Sequence, residues 1–488
     1  MTLAVPFRTE DAATHTTVEQ AVADQASAVN ASAVNASAVN AAAENATAGN
    51  SVLPTVPAVA GAGLTVPLVS GERVGYANLD HAASAPCLDQ VREAVDELLP
   101  WYASVHRGAG FASQVCTRVY EQARDAVRRF VGAHAGDAVV FTRNTTDSLN
   151  LLAAAVPRGT SVVLFDSEHH AALLPWRGPN VRRLPAPTSP ADAVRAVDTA
   201  LAACPIGPRL VVVTGASNVT GELWPIAELA QVAHRHGARI AVDAAQLAPH
   251  RPIDLRACGA DYLVFSGHKL YAPYGAGVLV GRSDWLHAAE PYLRGGGATS
   301  LVSDLGDRLG VAWSAVPERH EAGSPNVVGV HALATACAAL GRHWEPILAH
   351  ERALLDRLRA GLATVPGLRE LALFGASSDR VGVLSFTVDG QDAGLLAAAL
   401  SAEHGIGVRD GAFCAHVLTR RLLADAGSTE QRAIRVSLGL GSTAEHVDRL
   451  VAALRLLVEA GPEWTYGQQD GRWAPTPDPR PLPPFLAG

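Results

Sequence analysis

Short apolar runs rich in β-branched residues recur at Ala138–Thr142, Ser161–Phe165, Leu210–Thr214, Arg239–Val242, Tyr262–Phe265 and Gly277–Val280. Each is too short for a helix and is continuous rather than alternating, which marks a strand buried on both faces. Between many of them lie stretches with apolar residues at i, i+3 and i+4, including Gln114–Val131, Ala191–Ala203 and Pro225–His236, and these predict amphipathic helices. Strands alternating with helices at this rhythm predict an α/β fold, a largely parallel sheet covered on both faces. From Val330 to about Val365 the pattern is helical. A compact α+β pattern follows, with strands at Gly382–Val388 and Ile434–Leu438 and helices at Ala393–His404 and Ala444–Val458. The expected organisation is a large α/β domain over residues 69–340, its opening stretch able to pack on a smaller α+β domain over 341–460.

The flanks lack this pattern. Residues 26–50 are five pentads, each ending in asparagine. A period of five matches neither helix nor strand, and the pentads offer no large side chain to bury, so residues 1–68 read as a disordered or weakly helical extension. Residues 461–488 carry Pro475, Pro477, Pro479, Pro481, Pro483 and Pro484, too many prolines for a helix or a central strand. That tail is expected to lie extended along the surface.

Composition narrows the class. A formal net charge of −8 with no Lys/Arg block argues against nucleic acid and anionic membranes as partners. Six cysteines are scattered, with no CxxC and no disulfide-like spacing, as a reducing cytosol permits. The N-terminus lacks a basic region followed by an apolar core, and no apolar run reaches membrane-spanning length, so the expectation is a cytoplasmic protein without a metal.

The basic residues carry the first chemical signal. Lys and Arg total 39, yet only one of them is lysine, Lys269, and the rest are arginine. Arginine replaces lysine wherever a solvated positive charge suffices, but it does not lose its proton to become an amine nucleophile. Compositional drift toward arginine would leave the same count. A lysine retained beside Ser266, Gly267 and His268 also suits an imine with an aldehyde, above all pyridoxal phosphate.

Ligands of open α/β sheets collect at the carboxyl ends of strands, and the residues there extend the signal. After the first strand, Asn144-Thr145-Thr146 leads into a helix over Leu149–Val156, an anion cradle suited to a phosphate monoester or an ordinary N-cap. After the second comes His169, whose imidazole suits stacking on a flat ring or proton transfer. The third ends near Asn218. The fourth runs into Asp243, a carboxylate that is costly there unless a cation such as a protonated pyridine nitrogen meets it. The next delivers Ser266, His268 and Lys269. An amine, a carboxylate, a stacking imidazole and a phosphate cradle, each after its own strand, form the set that pyridoxal phosphate requires.

Segments across roughly residues 75–460 resemble the class V aminotransferase family of fold-type I pyridoxal phosphate enzymes, and within it the cysteine desulfurase/selenocysteine lyase branch. The resemblance is carried by Leu79-Asp80-His81-Ala82-Ala83, Val105-His106-Arg107-Gly108, Asn144-Thr145-Thr146-Asp147, Glu168-His169-His170-Ala171, Ser217-Asn218-Val219 and Val242-Asp243-Ala244-Ala245-Gln246. It continues through Ser266-Gly267-His268-Lys269-Leu270-Tyr271, Glu321-Ala322-Gly323-Ser324-Pro325-Asn326 and Val408-Arg409-Asp410-Gly411-Ala412-Phe413-Cys414-Ala415. The resemblance implies Lys269 as the Schiff-base lysine and proton shuttle, Asp243 on the pyridine nitrogen, Gln246 near the ring hydroxyl and His169 stacked over the ring. It implies Thr145, Thr146, Ser266 and His268 on the phosphate, and Ser324 on the phosphate of a neighbouring subunit, hence a homodimer. Asn218 and Arg435 match residues that grip the substrate carboxylate, with Arg409 as a second candidate.

Two endings stay open. In the desulfurase branch a cysteine at the place of Cys414 attacks the sulfur of bound L-cysteine, leaving alanine and a persulfide that passes to a sulfur-acceptor protein. Arg409 and His416 stand near enough in sequence to favour its thiolate. The branch pattern has two histidines before this cysteine, where the chain has Ala412 and Phe413, then a proline where it has Val417. After Arg435, an aromatic-Asn pair has become Leu440-Gly441. The alternative is a class V aminotransferase, epimerase or other lyase acting on a different amino acid, with Cys414 not nucleophilic. A cofactor-binding scaffold without activity is a third reading, opposed by the intact Lys269, Asp243 and His169.

Overall fold

A computed structural model describes residues 56–486. The pentad repeats of residues 26–50, and the expectation of disorder or weak helix for residues 1–55, lie outside the described residues.

Seven strands form the central sheet: β1 (Ala138–Thr142), β2 (Ser161–Phe165), β3 (Val181–Leu184), β4 (Arg209–Thr214), β5 (Arg239–Asp243), β6 (Tyr262–Ser266) and β7 (Gly277–Gly281). Their spatial order is β1-β7-β6-β5-β4-β2-β3. β7 runs antiparallel to both neighbours and the remaining pairs are parallel. Because β1 and β6 both oppose β7, they share one direction, and the carboxyl ends of β1, β2, β4, β5 and β6 open on the same side. That is why five separated segments of sequence can meet at one site.

Side chains alternate across the sheet, so each strand contributes to two cores. Phe165, Val211, Val213, Val242 and Phe265 pack on one face with helices α1 (Asp89–Leu98), α2 (Phe111–Phe130), α4 (Pro190–Ala202), α5 (Ile226–Arg235) and α6 (Val327–Arg342). Leu164, Leu210, Val212, Tyr262 and Val264 pack on the other against α3 (Thr145–Ala155). Both faces are apolar, which accounts for the uninterrupted hydrophobic runs in the sequence.

The long helical region is two helices, α6 and α7 (Trp344–Leu362), separated at His343. Beyond them an antiparallel sheet of four strands, β8 (Leu368–Leu371), β9 (Val383–Val388), β10 (Arg409–Gly411) and β11 (Ala433–Ser437), is ordered β8-β9-β11-β10. Helices α7, α8 (Ala393–His404) and α10 (Ala444–Ala460) cover it with Leu358, Leu396, Leu400, Leu450 and Leu454. Helix α9 (His416–Asp425) instead packs Leu418, Leu422 and Leu423 into the core of the large sheet.

Two expectations for the flanks are corrected. Residues 56–68 are built into the fold: Val59 is buried and bridges to Leu88, and Thr65–Pro67 pairs antiparallel with Arg73–Gly75. Their apolar side chains distinguish them from the pentads, so their burial can offset the entropy of ordering. The proline-rich tail is not simply extended. It contains a hairpin of β12 (Tyr466–Gln469) and β13 (Arg472–Pro475), turned by Asp470 and Gly471, both at positive φ. An Asp-Gly pair between extended segments is a strong short-range hairpin signal, and no proline falls between Pro462 and Pro475, the last residue of β13.

Candidate active site

Thr145, Thr146, His169, Asn218, Asp243, Gln246, Ser266, His268, Lys269, Arg409, Cys414 and Arg435 all line one cavity of about 300 Å³. Ser324, the remaining candidate, is an exposed loop residue outside that lining.

One end of the cavity is an anion cradle. Asn144 caps α3, its Oδ1 accepting from the backbone N–H of Asp147 at 3.0 Å. The Thr145 N–H donates to Ser266 Oγ at 2.7 Å, and the two hydroxyl oxygens also lie 2.7 Å apart. The loop can approach this closely because Gly277 faces it, where a Cβ would sit 2.5 Å from the Asn144 Cα. The hydroxyl of Thr146 and the imidazole of His268 complete a polar mouth over a helix N-terminus, a favourable place for an oxyanion. Burial, with help from Lys269, lowers the pKa of His268.

The floor carries the carboxylate and the amine. Asp243 is buried at the end of β5, with Oδ1 accepting from the Ala245 N–H at 3.0 Å. Burial raises its pKa against the opposing pull of that N–H and of Lys269. Lys269 follows β6 in a short turn, and burial lowers its amine to about 8 despite Asp243. At that value a substantial fraction is a neutral nucleophile near physiological pH. Gln246 is anchored through Nε2 donating to the Ala82 carbonyl at 2.8 Å, while its buried Oε1 accepts nothing from the chain.

His169 forms a wall. Its Nδ1 accepts from the Ala171 N–H at 3.1 Å, so the neutral ring carries its proton on Nε2. Burial, then Lys269, depress its pKa to about 3, which keeps it neutral. Behind it, Glu168 is fully buried and neither carboxyl oxygen meets a hydrogen-bond partner. Burial and then the charge of Asp243 push its pKa well up, which favours its neutral form.

The opposite wall comes from the smaller sheet. Arg435 on β11 is buried, donating from Nη1 to the Asn218 carbonyl at 3.0 Å and from Nη2 to Asp80 Oδ1 at 3.2 Å, while Nε is unpaired. Its guanidinium lies 5.0 Å from the Phe413 ring centroid. Phe413 replaces a polar residue of the desulfurase pattern and serves as a platform for this cation. Phe413 and Cys414 both adopt positive φ, 51° and 55°, a conformation costly for either residue type. Two bonds hold them there: Asn218 Nδ2 donates to the Phe413 carbonyl at 2.7 Å and the His170 N–H to the Cys414 carbonyl at 2.9 Å. The exposed Cys414 thiol therefore sits at the rim on a clamped, strained turn.

Two departures have local counterparts. Gly441 stands where a larger residue is expected, and a Cβ there would lie 2.7 Å from Val59 Cγ2, so the segment before residue 68 occupies that space. The Leu440 N–H donates to the Tyr271 hydroxyl at 3.0 Å, tying this loop to the lysine turn. His416 packs edge-on against His170, with ring centroids 4.7 Å apart. Glu321, from the loop bearing Ser324, is a structural anchor, pairing with buried Arg124 at 2.6 Å and accepting from the Phe141 N–H at 2.6 Å.

Sequence reasoning passed over Asp80, Glu168 and Phe413 as site residues. Asp80 and Glu168 lay within motifs already noted, but only the fold shows Asp80 meeting Arg435 and Glu168 lying behind the floor.

The class-V aminotransferase family model matches residues 77–450. A cysteine desulfurase of Klebsiella pneumoniae (strain 342) is 37% identical over 402 residues, covering 79% of this chain and 94% of the relative. Among solved structures, the cysteine desulfurase CsdA of Escherichia coli superposes with a TM-score of 0.66 at 34% identity, over 78% of this chain and 94% of that one. The apo cysteine desulfurase of Thermococcus onnurineus NA1 gives a TM-score of 0.70 at 31% identity, over 79% and 95%. The architecture is that of fold-type I enzymes, and the chain belongs to the class-V aminotransferase family.

Proposed function

We propose that the protein is a pyridoxal phosphate-dependent cysteine desulfurase, which converts L-cysteine to L-alanine and holds the sulfur on Cys414 as a persulfide. One observation carries the reading: the chain's single lysine and an exposed cysteine line the same cavity, together with Asp243, His169 and Arg435.

The donor set fits the cofactor. The buried, unpaired Oε1 of Gln246 suits the ring hydroxyl, and the buried carboxylate of Asp243 suits a protonated ring nitrogen. Thr145, Thr146, Ser266 and His268 would hold the phosphate, with His169 over the ring. Bound there, the cofactor supplies an electron sink for the pair left when the substrate loses its α-proton.

The chain's own residues do the rest. Arg435, oriented by Asp80 and Asn218, takes the substrate carboxylate through its charged donors. Lys269 Nζ accepts a proton and returns it, a task suited to an amine at about 8. The Cys414 thiolate attacks the substrate sulfur. An S–S bond forms, the substrate C–S bond breaks, and protonation of the carbon product completes L-alanine, so one cysteine and one thiol yield one alanine and one persulfide. The exposed position of Cys414 leaves that sulfur open to an acceptor protein or a small thiol.

A homodimer is part of the proposal. The hairpin formed by Thr299–Asp304 and Leu309–Trp313 exposes Leu301, Val302, Leu309 and Val311, and Trp101, Tyr102 and Phe111 are exposed elsewhere. These side chains form apolar surface that a second copy would cover, with Ser324 available to its partner's phosphate site. All six cysteines are free thiols, which supports a reducing, cytoplasmic setting.

Purified holoenzyme given L-cysteine and a reducing thiol should release alanine and sulfide in equal amounts. Cys414→Ser should lose sulfide release while L-cysteine still changes the cofactor absorbance. Full turnover by that variant would rule out the persulfide route. Ala412 and Phe413 in place of two histidines favour a second reading, transamination or another lyase reaction, and conversion of the cofactor to its amine form by a different amino acid would establish it.

A further inference from the structure

A second cavity, of about 350 Å³, lies between helix α8, strand β10 and the terminal hairpin. The hairpin follows the last residue matched by the family, so one wall comes from outside the shared fold. Three guanidinium groups line the cavity, from Arg409, Arg432 and Arg472, against two carboxylates, from Asp80 and Asp410.

The pairing leaves positive charge unmatched. Arg432 contacts Asp410 through Nη2, but its buried Nε meets no acceptor. Arg409 is 3.8 Å from Asp80, whose other oxygen is engaged by Arg435. Among the described residues, the exposed Arg472 makes no ion pair and no side-chain hydrogen bond with the chain. The indole of Trp473 adds a flat, part-buried wall, packed so closely on α8 that a Cβ at Gly394 would lie 3.1 Å from its Cδ1. Ala397 and Ala398 keep the adjoining helix face low.

We infer that this cavity is a second ligand site, taking a small organic carboxylate whose charge meets Arg472, Arg432 and Arg409 and whose apolar body lies on Trp473. Arg409 lines both this cavity and the active site, and Asp80 pairs with both Arg409 and Arg435. An anion that draws Arg409 away from Asp80 leaves Asp80 to Arg435 alone. Arg435 is then more fully neutralised and holds a substrate carboxylate less tightly. Occupation of the second site therefore raises KM for an amino-acid substrate and leaves kcat nearly unchanged.

The test uses the holoenzyme and benzoate, titrated by calorimetry at constant ionic strength with chloride as the balancing anion. Binding should saturate, and Arg472→Ala should weaken it by about tenfold or more, as loss of a hydrogen bond to a charged group predicts. Absence of saturable binding, or a smaller loss in the variant, overturns the site. This arm does not depend on which reaction the enzyme catalyses. In turnover assays with L-cysteine, benzoate should raise KM for the native protein and not for Arg472→Ala, whereas an unchanged KM in both overturns the coupling.

Discussion

The two walls of the active-site cavity are built differently. The side proposed to hold the cofactor takes its polar residues from the ends of four strands that share one direction, β1, β2, β5 and β6, and most of them lie within a few positions of a strand terminus. The side proposed to hold the substrate is assembled from contacts between distant segments: Arg435 with Asp80, 355 residues apart, and Asn218 with Phe413, 195 apart. The first side is held in place by the paired register of one continuous sheet. The second depends on the smaller sheet, the N-terminal segment and a strained turn holding their positions together.

Breaking the cofactor side should have the largest effect. Lys269→Arg keeps the charge but removes an amine able to exchange protons, so turnover of every amino acid should fall by at least about 10²–10⁴-fold. Borohydride trapping should label position 269 in the native protein and nothing in the variant. Retained activity would remove the chemical role assigned to the only lysine.

On the substrate side, Arg435→Ala should separate binding from chemistry. Loss of a charge-assisted pair worth about 1.5–3 kcal/mol predicts a rise in KM of about tenfold to a hundredfold, with cofactor absorbance intact. A change in the absorbance of the resting enzyme instead would show that the two walls are not separable.

A pH series on the apoprotein examines the floor. Glu168 has a folded-state pKa well above the ordinary carboxyl value, because of burial and then Asp243. Above the unfolded value of about 4.3, the folded protein therefore binds more protons than the unfolded chain, and stability is lost as pH rises toward the folded value. Glu168→Gln should flatten that decline in denaturant titrations, leaving a shallower slope from Asp243, which is raised in the same direction. An unchanged slope would mean that Glu168 is ionised in the fold.

The smallest effect is expected at the seam behind the substrate wall. Val59→Ala removes methyl groups packed against Gly441 and should destabilise the protein by about 1–2 kcal/mol, seen as a lower melting temperature. A larger loss with a raised KM would show that the N-terminal segment sets the position of Arg435.

How much of this was legible follows the same division. Six strands of the central sheet were readable because strands buried on both faces must be apolar along their length, whereas Val181–Leu184 was not, since Arg182 and Arg183 interrupt it. That Lys269, Asp243, His169 and Thr145 would gather around one cavity was readable because ligand pockets of open α/β sheets form where apolar strands end in polar residues. The Asp470-Gly471 hairpin had a local signal, but the surrounding prolines obscured it.

By itself, the sequence determined the strand-and-helix alternation, the polar set at the strand ends and the single amine available for chemistry, because each depends on neighbouring residues and on side-chain chemistry alone. Tertiary structure decided that Asp80 orients Arg435, that Phe413 lies against that cation, that Glu168 is buried beside Asp243, and that a terminal hairpin closes a second cavity. Those relations join residues far apart in the chain, and burial and pairing of charge exist only after the chain has brought them together.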